Sequence, residues 1–184
     1  MIVLQSPDAF TAERSVLALG MFDGVHIGHQ ALIRTAVHLA AEMNAASVVC
    51  TFDRHPLEVL APSRTPKALR TLEENLRAFE RLGADAALVQ RFDRAFADML
   101  PEDYVRALTE GMRARAVVAG ENYTFGKKGR GDAALIRSLA DRYGYRAVIV
   151  PPVCADGREV SSTWIRQLLA AGECDRAKQL LEIQ

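Results

Sequence analysis

Short apolar runs rich in β-branched residues alternate with amphipathic helical stretches along the whole chain. The runs predict strands at residues 15–20, 46–52, 86–90, 116–119 and 146–150. Helical spacing predicts helices over residues 30–43, 72–82, 101–110, 132–143, 161–171 and 173–181. Buried parallel strands read as continuous apolar runs, and helices between them cover both faces of such a sheet. The sequence therefore predicts an α/β protein: a Rossmann-like, doubly wound parallel sheet of about five strands, helices on both faces, and a carboxyl-terminal helical segment.

Charge and cysteine content exclude several classes of protein. The 184 residues carry 23 Lys and Arg against 23 Asp and Glu, so no overall field attracts nucleic acid or an anionic membrane. The cysteines Cys50, Cys154 and Cys174 are few, odd in number and far apart, which argues against disulfide and zinc frameworks. The longest apolar stretch, residues 147–155, is too short for a membrane span, and the first residues do not resemble a secretory signal. We expect one cytoplasmic domain that binds neither nucleic acid nor membrane.

The loop after the first predicted strand is the first place to look for chemistry. Residues 20–29 read GMFDGVHIGH, with three glycines and with His26 and His29 at the start of a predicted helix. In open α/β sheets ligands bind beyond the carboxyl ends of the strands, where helix amino termini attract phosphates. The loop matches neither the dinucleotide G-x-G-x-x-G pattern nor a Walker A motif. It is therefore a candidate anion site of another kind.

Three further segments accompany this loop: TFDRHP at residues 51–56, GENYTFG at residues 120–126 and VSSTWIR at residues 160–166. In this order the four segments resemble the amino-terminal module of prokaryotic bifunctional FAD synthetases, within the H-x-G-H nucleotidyltransferase superfamily. The resemblance implies transfer of AMP from ATP to FMN, giving FAD and pyrophosphate, with a divalent cation such as Mg²⁺. No residues remain for a riboflavin kinase domain, so residues 1–184 are expected to form the adenylyltransferase domain alone. Both a monofunctional relative and a piece of a bifunctional chain fit this length.

The resemblance also assigns site residues. It places catalysis on His26, His29 and Arg166. ATP-binding residues are expected to be Gly20, Phe22, Asp23, Gly24, Gly28, Ser161, Ser162 and Thr163. Flavin-binding residues are expected to be His55, Pro56, Asn122, Phe125 and Arg130. No residue is assigned to the metal. A carboxylate near a triphosphate is repelled unless it holds a metal or braces the loop through hydrogen bonds, and both alternatives stand for Asp23.

Two positions depart from the family pattern. Arg54 stands where family members often have proline, and Tyr123 replaces a more usual phenylalanine. Two other functions compete with FMN adenylylation. One is transfer of AMP or CMP to a different phosphate acceptor. The other is a non-catalytic flavin- or nucleotide-binding module that works with a separate riboflavin kinase.

Overall fold

A computed structural model, which describes residues 1–183, contains a six-stranded parallel sheet. The strands are β1 (Ile2–Leu4), β2 (Ser15–Leu19), β3 (Ala46–Phe52), β4 (Ala86–Gln90), β5 (Ala114–Gly120) and β6 (Arg146–Val150). Their order across the sheet is β1-β4-β3-β2-β5-β6, so the direction of winding reverses between β2 and β5. Ligand-binding crevices of doubly wound folds form at such a reversal. A small antiparallel hairpin, β7 (Cys154–Ala155) and β8 (Arg158–Glu159), follows the sheet.

Helices cover both faces of the sheet, as predicted. They are α1 (Ile27–Glu42), α2 (Pro56–Leu60), α3 (Leu72–Arg81), α4 (Arg94–Ala97), α5 (Pro101–Gly111), α6 (Ala133–Ser138), α7 (Ala140–Tyr143), α8 (Ser162–Ala170) and α9 (Cys174–Leu181). Side chains of a strand alternate between the faces. Val16 and Ala18 of β2 accordingly pack toward α1 and α3, whereas Leu17 and Leu19 pack toward α5 and α6. The sheet thus has a hydrophobic core on each face, and the two cores fix the positions of the ends of β2 and β5.

The carboxyl-terminal segment is also helical, as predicted. Helices α8 and α9 pack against each other through Trp164, Ile165, Leu168, Ala177 and Leu180. The S-S-T segment, residues 161–163, lies at the start of α8 next to the loop that follows β2. There the hydroxyl of Ser162 donates to the carbonyl of Asp23 at 2.9 Å. No helix within residues 1–183 combines the length and apolar character that a membrane crossing requires.

Two sequence predictions need correction. The sheet has a sixth strand, β1, whose three residues are too few for a periodic signal; Ile2 and Val3 lie exposed at the sheet edge. The helix predicted over residues 132–143 is two helices that meet at Leu139. Residues 55–66, for which no helix or strand was predicted, contain α2 and a 3-10 turn at Pro62–Arg64. His55 caps α2 through a hydrogen bond that its Nδ1 accepts from the Leu57 N–H at 3.1 Å.

Candidate active site

The loop between β2 and α1 has a strained backbone. Phe22, Gly24 and Val25 all have positive φ, at 54°, 84° and 47°. Glycine adopts this region freely, but for an aromatic or β-branched residue it is a true outlier. The Phe22 and Val25 side chains are fully buried, and Phe22 contacts both Phe79 and His29 edge-on. The core beneath the loop therefore holds it in a conformation that its own residues do not favour.

Asp23 joins this loop to two distant segments. Its Oδ1 accepts the backbone N–H of Leu69 at 2.9 Å and that of Arg70 at 3.4 Å. Its Oδ2 forms an ion pair with the Nη2 of Arg166, whose Nε donates to the carbonyl of Lys67 at 2.7 Å. Through these contacts Asp23 braces the loop, which is one of the two alternatives that stand for this carboxylate.

The two histidines form a stacked pair at the start of α1. Their ring centroids lie 3.7 Å apart with an angle of 18° between the planes. His26 is the N-cap residue, and its Nδ1 accepts the backbone N–H of His29 at 3.4 Å. A neutral His26 ring therefore carries its proton on Nε2 and can donate from there. The Nδ1 of His29 is buried and has no partner among the described residues.

Burial sets the protonation state of this pair. Desolvation lowers the pKa of His26 to about 4. Desolvation, with the nearby His26 as a second cause, also holds the pKa of His29 well below its usual value. Both rings are consequently neutral hydrogen-bonding groups near pH 7. An anion placed against them would favour the protonated form and raise both pKa values.

A small cavity lies in front of the pair, which we call the histidine cavity. Its volume is about 200 Å³, and it is lined by His26, Gly28, His29, Leu32, Gly120, Glu121, Asn122, Val150, Pro151, Pro152, Val153, Glu159, Val160, Ser161 and Ser162. The first turns of α1 and α8 both border it. Free N–H groups and the positive dipole end make each helix start favourable for phosphate. The arrangement suits an anion that reaches two helix termini at once.

A larger cavity lies on the other side of the β5 end, which we call the aromatic cavity. Its volume is about 550 Å³, and its lining includes Phe52, Pro56, Phe92, Phe96, Met99, Tyr104, Tyr123, Phe125, Gly126, Lys127 and Lys128. The rings contact one another at centroid distances of 5.3–5.6 Å. Such a volume with apolar and aromatic walls fits a planar organic ligand. The basic residues Arg94, Lys127 and Lys128 also line it.

The loop after β5 forms a wall of both cavities. Residues 120–122 line the histidine cavity, and residues 123–129 line the aromatic cavity. A β-bridge between Phe125 and Gly131 closes the base of this loop. Ligands in the two cavities would thus be separated by a single segment of chain.

The structure brings five of the predicted nucleotide-side residues together in one cavity. His26, Gly28, His29, Ser161 and Ser162 line the histidine cavity directly. Gly20 and Gly24 shape the loop from behind, since a Cβ added to either would come within 2.9 Å of a side-chain carbon. Phe22 is fully buried, so it supports the His29 ring and does not present its own ring to a ligand. Thr163 is exposed, and Arg166 is bonded to Asp23. None of Thr163, Arg166 and Asp23 is among the residues that line the histidine cavity.

The predicted flavin-side residues separate into several places. Pro56 and Phe125 line the aromatic cavity. Asn122 lines the histidine cavity instead, and His55 faces a third, polar cavity that also contains Asp23. Arg130 is exposed just beyond the lining residues 126–129. Arg54 donates from Nη2 and Nε to Asp53 Oδ2 at 2.8 and 3.1 Å, so its charge is paired with the neighbouring carboxylate.

No preformed metal centre accompanies these cavities. Within residues 1–183, no group of three or more His, Cys, Asp or Glu side chains is arranged to hold a metal ion. All three cysteines are free, with Cys50 buried and the other two exposed.

Comparison with known proteins identifies the family. The family model described as FAD synthetase matches residues 9–164. The chain belongs to the FAD synthetase family. It is 38% identical over 175 residues to the bifunctional riboflavin kinase/FMN adenylyltransferase of Listeria monocytogenes, covering 95% of this chain and 55% of that protein. A Geobacillus thermodenitrificans protein that bears the same name with a provisional qualifier is 37% identical, covering 98% of this chain and 97% of that one.

A solved structure from Streptococcus pneumoniae, described as a macrolide-efflux protein, superposes with a TM-score of 0.85 at 30% identity. The match covers 98% of this chain and 59% of that one. The chain thus spans about half the length of several relatives that it matches, and nearly all of one. The predicted FAD synthetase resemblance is confirmed.

Sequence reasoning missed part of the site of this FAD synthetase family member. Phe92 and Phe96, which form walls of the aromatic cavity, lie in and next to the four-residue helix α4, which is too short to predict from periodicity. The cluster of aromatic residues over residues 92–104 was an available signal. Glu159 was also missed, because it stands just before the V-S-S-T-W-I-R segment and outside the motif.

Proposed function

We propose that residues 1–184 form an FMN adenylyltransferase domain that joins FMN and ATP to give FAD and pyrophosphate. The observation that carries this proposal is the pair of cavities on either side of the β5 loop. One offers neutral histidines and two helix starts, which suit a triphosphate. The other offers aromatic walls, which suit an isoalloxazine ring. The names of the relatives, which include FMN adenylyltransferase, support the same assignment.

The reaction is an in-line displacement at phosphorus. An oxygen of the FMN phosphate attacks the α-phosphorus of ATP and forms a new P–O bond. The bond from that phosphorus to the bridging oxygen of the β-phosphate breaks, and its electron pair leaves with pyrophosphate. No residue needs to form a covalent intermediate, so the protein acts by positioning and by stabilising developing charge.

The histidine pair and the two helix starts would bind the triphosphate. His26 can donate from Nε2 because its Nδ1 is already engaged by the His29 N–H. Donors that are fixed before the ligand arrives stabilise a transition state without reorganisation. Arg166 uses two of its N–H groups on Lys67 and Asp23, which leaves others for phosphate oxygens. Its guanidinium, held by Lys67 and Asp23, would supply positive charge to the phosphates.

The aromatic cavity would hold the flavin ring. Tyr123 and Phe125 stack at 5.5 Å with an angle of 19°, and Tyr104 lies beside them. Desolvation raises the pKa of both tyrosines, so their hydroxyls stay protonated at neutral pH. Asn122 lies on the histidine side of the wall, so we assign it to the nucleotide side of the site and no longer to the flavin.

Mg²⁺ and location complete the proposal. Mg²⁺ prefers oxygen ligands and usually binds through substrate phosphates with one or two carboxylates, which supplies charge neutralisation at the triphosphate. Carboxylate, amide and hydroxyl oxygens of Glu159, Asn122, Ser161 and Ser162 occur in the histidine cavity and fit that preference. Free cysteines suit a reducing cytoplasm. We assign the riboflavin kinase activity in the relatives' names to no part of residues 1–184.

The test uses purified protein with ATP, MgCl₂ and FMN, followed by chromatography for FAD and an assay for pyrophosphate. A parallel reaction contains riboflavin and ATP. We expect FAD and pyrophosphate in equal amounts from FMN, and no FMN from riboflavin.

Two results would overturn the proposal. Pyrophosphate release with another phosphate acceptor, but not with FMN, would indicate a different nucleotidyltransferase. Binding of FMN and ATP without any pyrophosphate release would indicate a non-catalytic flavin- or nucleotide-binding module.

A further inference from the structure

Glu159 is an exposed residue that, like Glu121, adds a carboxylate to the lining of the histidine cavity. It ends β8, one residue before the buried Val160, and lines the histidine cavity with His26 and His29. Asn122, on the opposite wall, donates from Nδ2 to Glu159 Oε1 at 2.5 Å. The carboxylate is therefore held across the cavity from the β5 loop. None of the four motifs accounts for an acidic group at this position.

The adjacent basic residue does not neutralise this carboxylate. Arg158 donates from Nη2 to Gln167 Oε1 at 2.9 Å, and its guanidinium lies 5.2 Å from the centre of the Trp164 ring. It is thus committed to α8. Asn122 lines the same cavity as Glu159. A carboxylate and an amide group therefore border one small space.

A carboxylate in this position repels a bare triphosphate. A divalent cation between the two anions changes repulsion into attraction, and Mg²⁺ commonly joins one protein carboxylate to substrate phosphates. The described part of the chain lacks a three-ligand cluster, so such a cation would have to arrive with the nucleotide. The donor set fits this use, since it consists of oxygen atoms.

We propose that Glu159, held in place by Asn122, is the carboxylate that receives the Mg²⁺ accompanying ATP, so that the cavity accepts the magnesium complex and rejects the bare nucleotide. The inference rests on the proposed function, because that function places ATP in the histidine cavity. It goes further by naming the residue that makes nucleotide binding depend on the metal.

The test measures ATP binding by titration calorimetry, once with MgCl₂ and once with EDTA, without any turnover. Wild-type protein is expected to bind ATP at least about 10-fold more tightly with MgCl₂, since one unit of charge near a phosphate accounts for an effect of this order. Glu159→Gln keeps an oxygen for the Asn122 bond and removes only the charge. We expect this variant to bind ATP in EDTA about 10-fold more tightly than wild type does, which reduces the advantage of MgCl₂ to roughly threefold or less.

Glu173→Gln is the matched comparison. Glu173 is an exposed carboxylate just before α9 and lines neither the histidine cavity nor the aromatic cavity. We expect this variant to show the metal dependence of the wild type. Equal metal dependence in wild type and Glu159→Gln, or a loss of metal dependence in Glu173→Gln alone, would overturn the inference. If wild type bound no ATP in either buffer, the proposed function would fail first and this inference with it.

Discussion

Acid should destabilise this fold through the stacked histidine pair. The pKa of His26 is about 4 in the folded protein, because the ring is buried, against 6.5 for an exposed histidine. Between these values His26 binds a proton in the unfolded chain but not in the folded protein, so the unfolding free energy falls as the pH drops. Above about pH 6.5 His26 is neutral in both states and does not lower the unfolding free energy. Below that pH the unfolding free energy falls progressively until about pH 4. His29 acts in the same direction, since its pKa is lowered as well.

The size of the effect follows from the distance below the unfolded pKa. At pH 5 the unfolded His26 is one and a half pH units below its midpoint, whereas the folded ring is still largely neutral. At about 1.4 kcal/mol per unit, the unfolding free energy falls by about 2 kcal/mol between pH 7.5 and pH 5 through His26 alone. Only 5% of His26 is exposed, so solvent screening does not reduce this figure greatly. Urea denaturation at the two pH values measures the change.

The variant His26→Asn isolates this contribution. Asparagine remains a good N-cap for α1 but does not titrate. We expect the difference in unfolding free energy between pH 7.5 and pH 5 to shrink by about 2 kcal/mol relative to wild type. His38→Asn is the control, because His38 lies on the solvent side of the same helix, with 80% of its side chain exposed. Undiminished acid sensitivity in His26→Asn would refute the reasoning, and so would an equal loss in the control.

Three other perturbations follow from the site geometry. Asp23→Asn removes the charged partner of Arg166 at a largely buried position, and we expect the unfolding free energy measured in urea to fall by about 3 kcal/mol. An unchanged unfolding free energy would show that Asp23 does not brace the loop. Gly126→Ala puts a Cβ 2.7 Å from the Pro101 backbone at a φ of +68°, so the melting temperature should fall by the equivalent of about 2–3 kcal/mol. Because Gly126 lines the aromatic cavity, FMN affinity, followed by flavin fluorescence, should drop as well; unchanged flavin binding would contradict this expectation. His29→Ala should lower the rate of FAD formation at least about 100-fold and change FMN affinity less than about threefold, because the His29 ring lines the histidine cavity and not the aromatic cavity. A similar loss of both rate and FMN affinity would contradict this assignment.

Much of the fold could be predicted because most residues of the four central strands, β2 to β5, are buried. A strand such as β2, with all five residues buried, reads as an apolar run wherever it occurs. Local capping signals are equally informative: Thr71 and Glu74 have the spacing of a capping box and form one at the start of α3. The edge strand β1 could not be recognised, because only its pairing with β4 makes this three-residue segment a strand.

The site was less predictable than the fold, because side-chain direction depends on the tertiary structure. The resemblance to the FAD synthetases assigned the two histidines, Ser161 and Ser162 to the nucleotide side, and these residues do line one cavity. The motif pattern could not determine on which side of the β5 loop Asn122 lies. Burial of the Phe22 ring is likewise a property of the packed core and not of the loop sequence.

The strain in the β2–α1 loop and the neutrality of its histidines have one physical origin. Left-handed backbone at Phe22 and Val25 costs about 1–3 kcal/mol per residue, and burial of each side chain contributes a similar amount in the opposite direction. The core therefore determines the shape of the loop before any ligand arrives. The same packing removes water from His26 and His29 and lowers their pKa values. A triphosphate that binds here would meet two fixed neutral donors, and the rise in their pKa on binding would strengthen the contact as negative charge accumulates. Replacing the buried ring at position 22 by a smaller side chain should consequently loosen the loop and raise the histidine pKa values together.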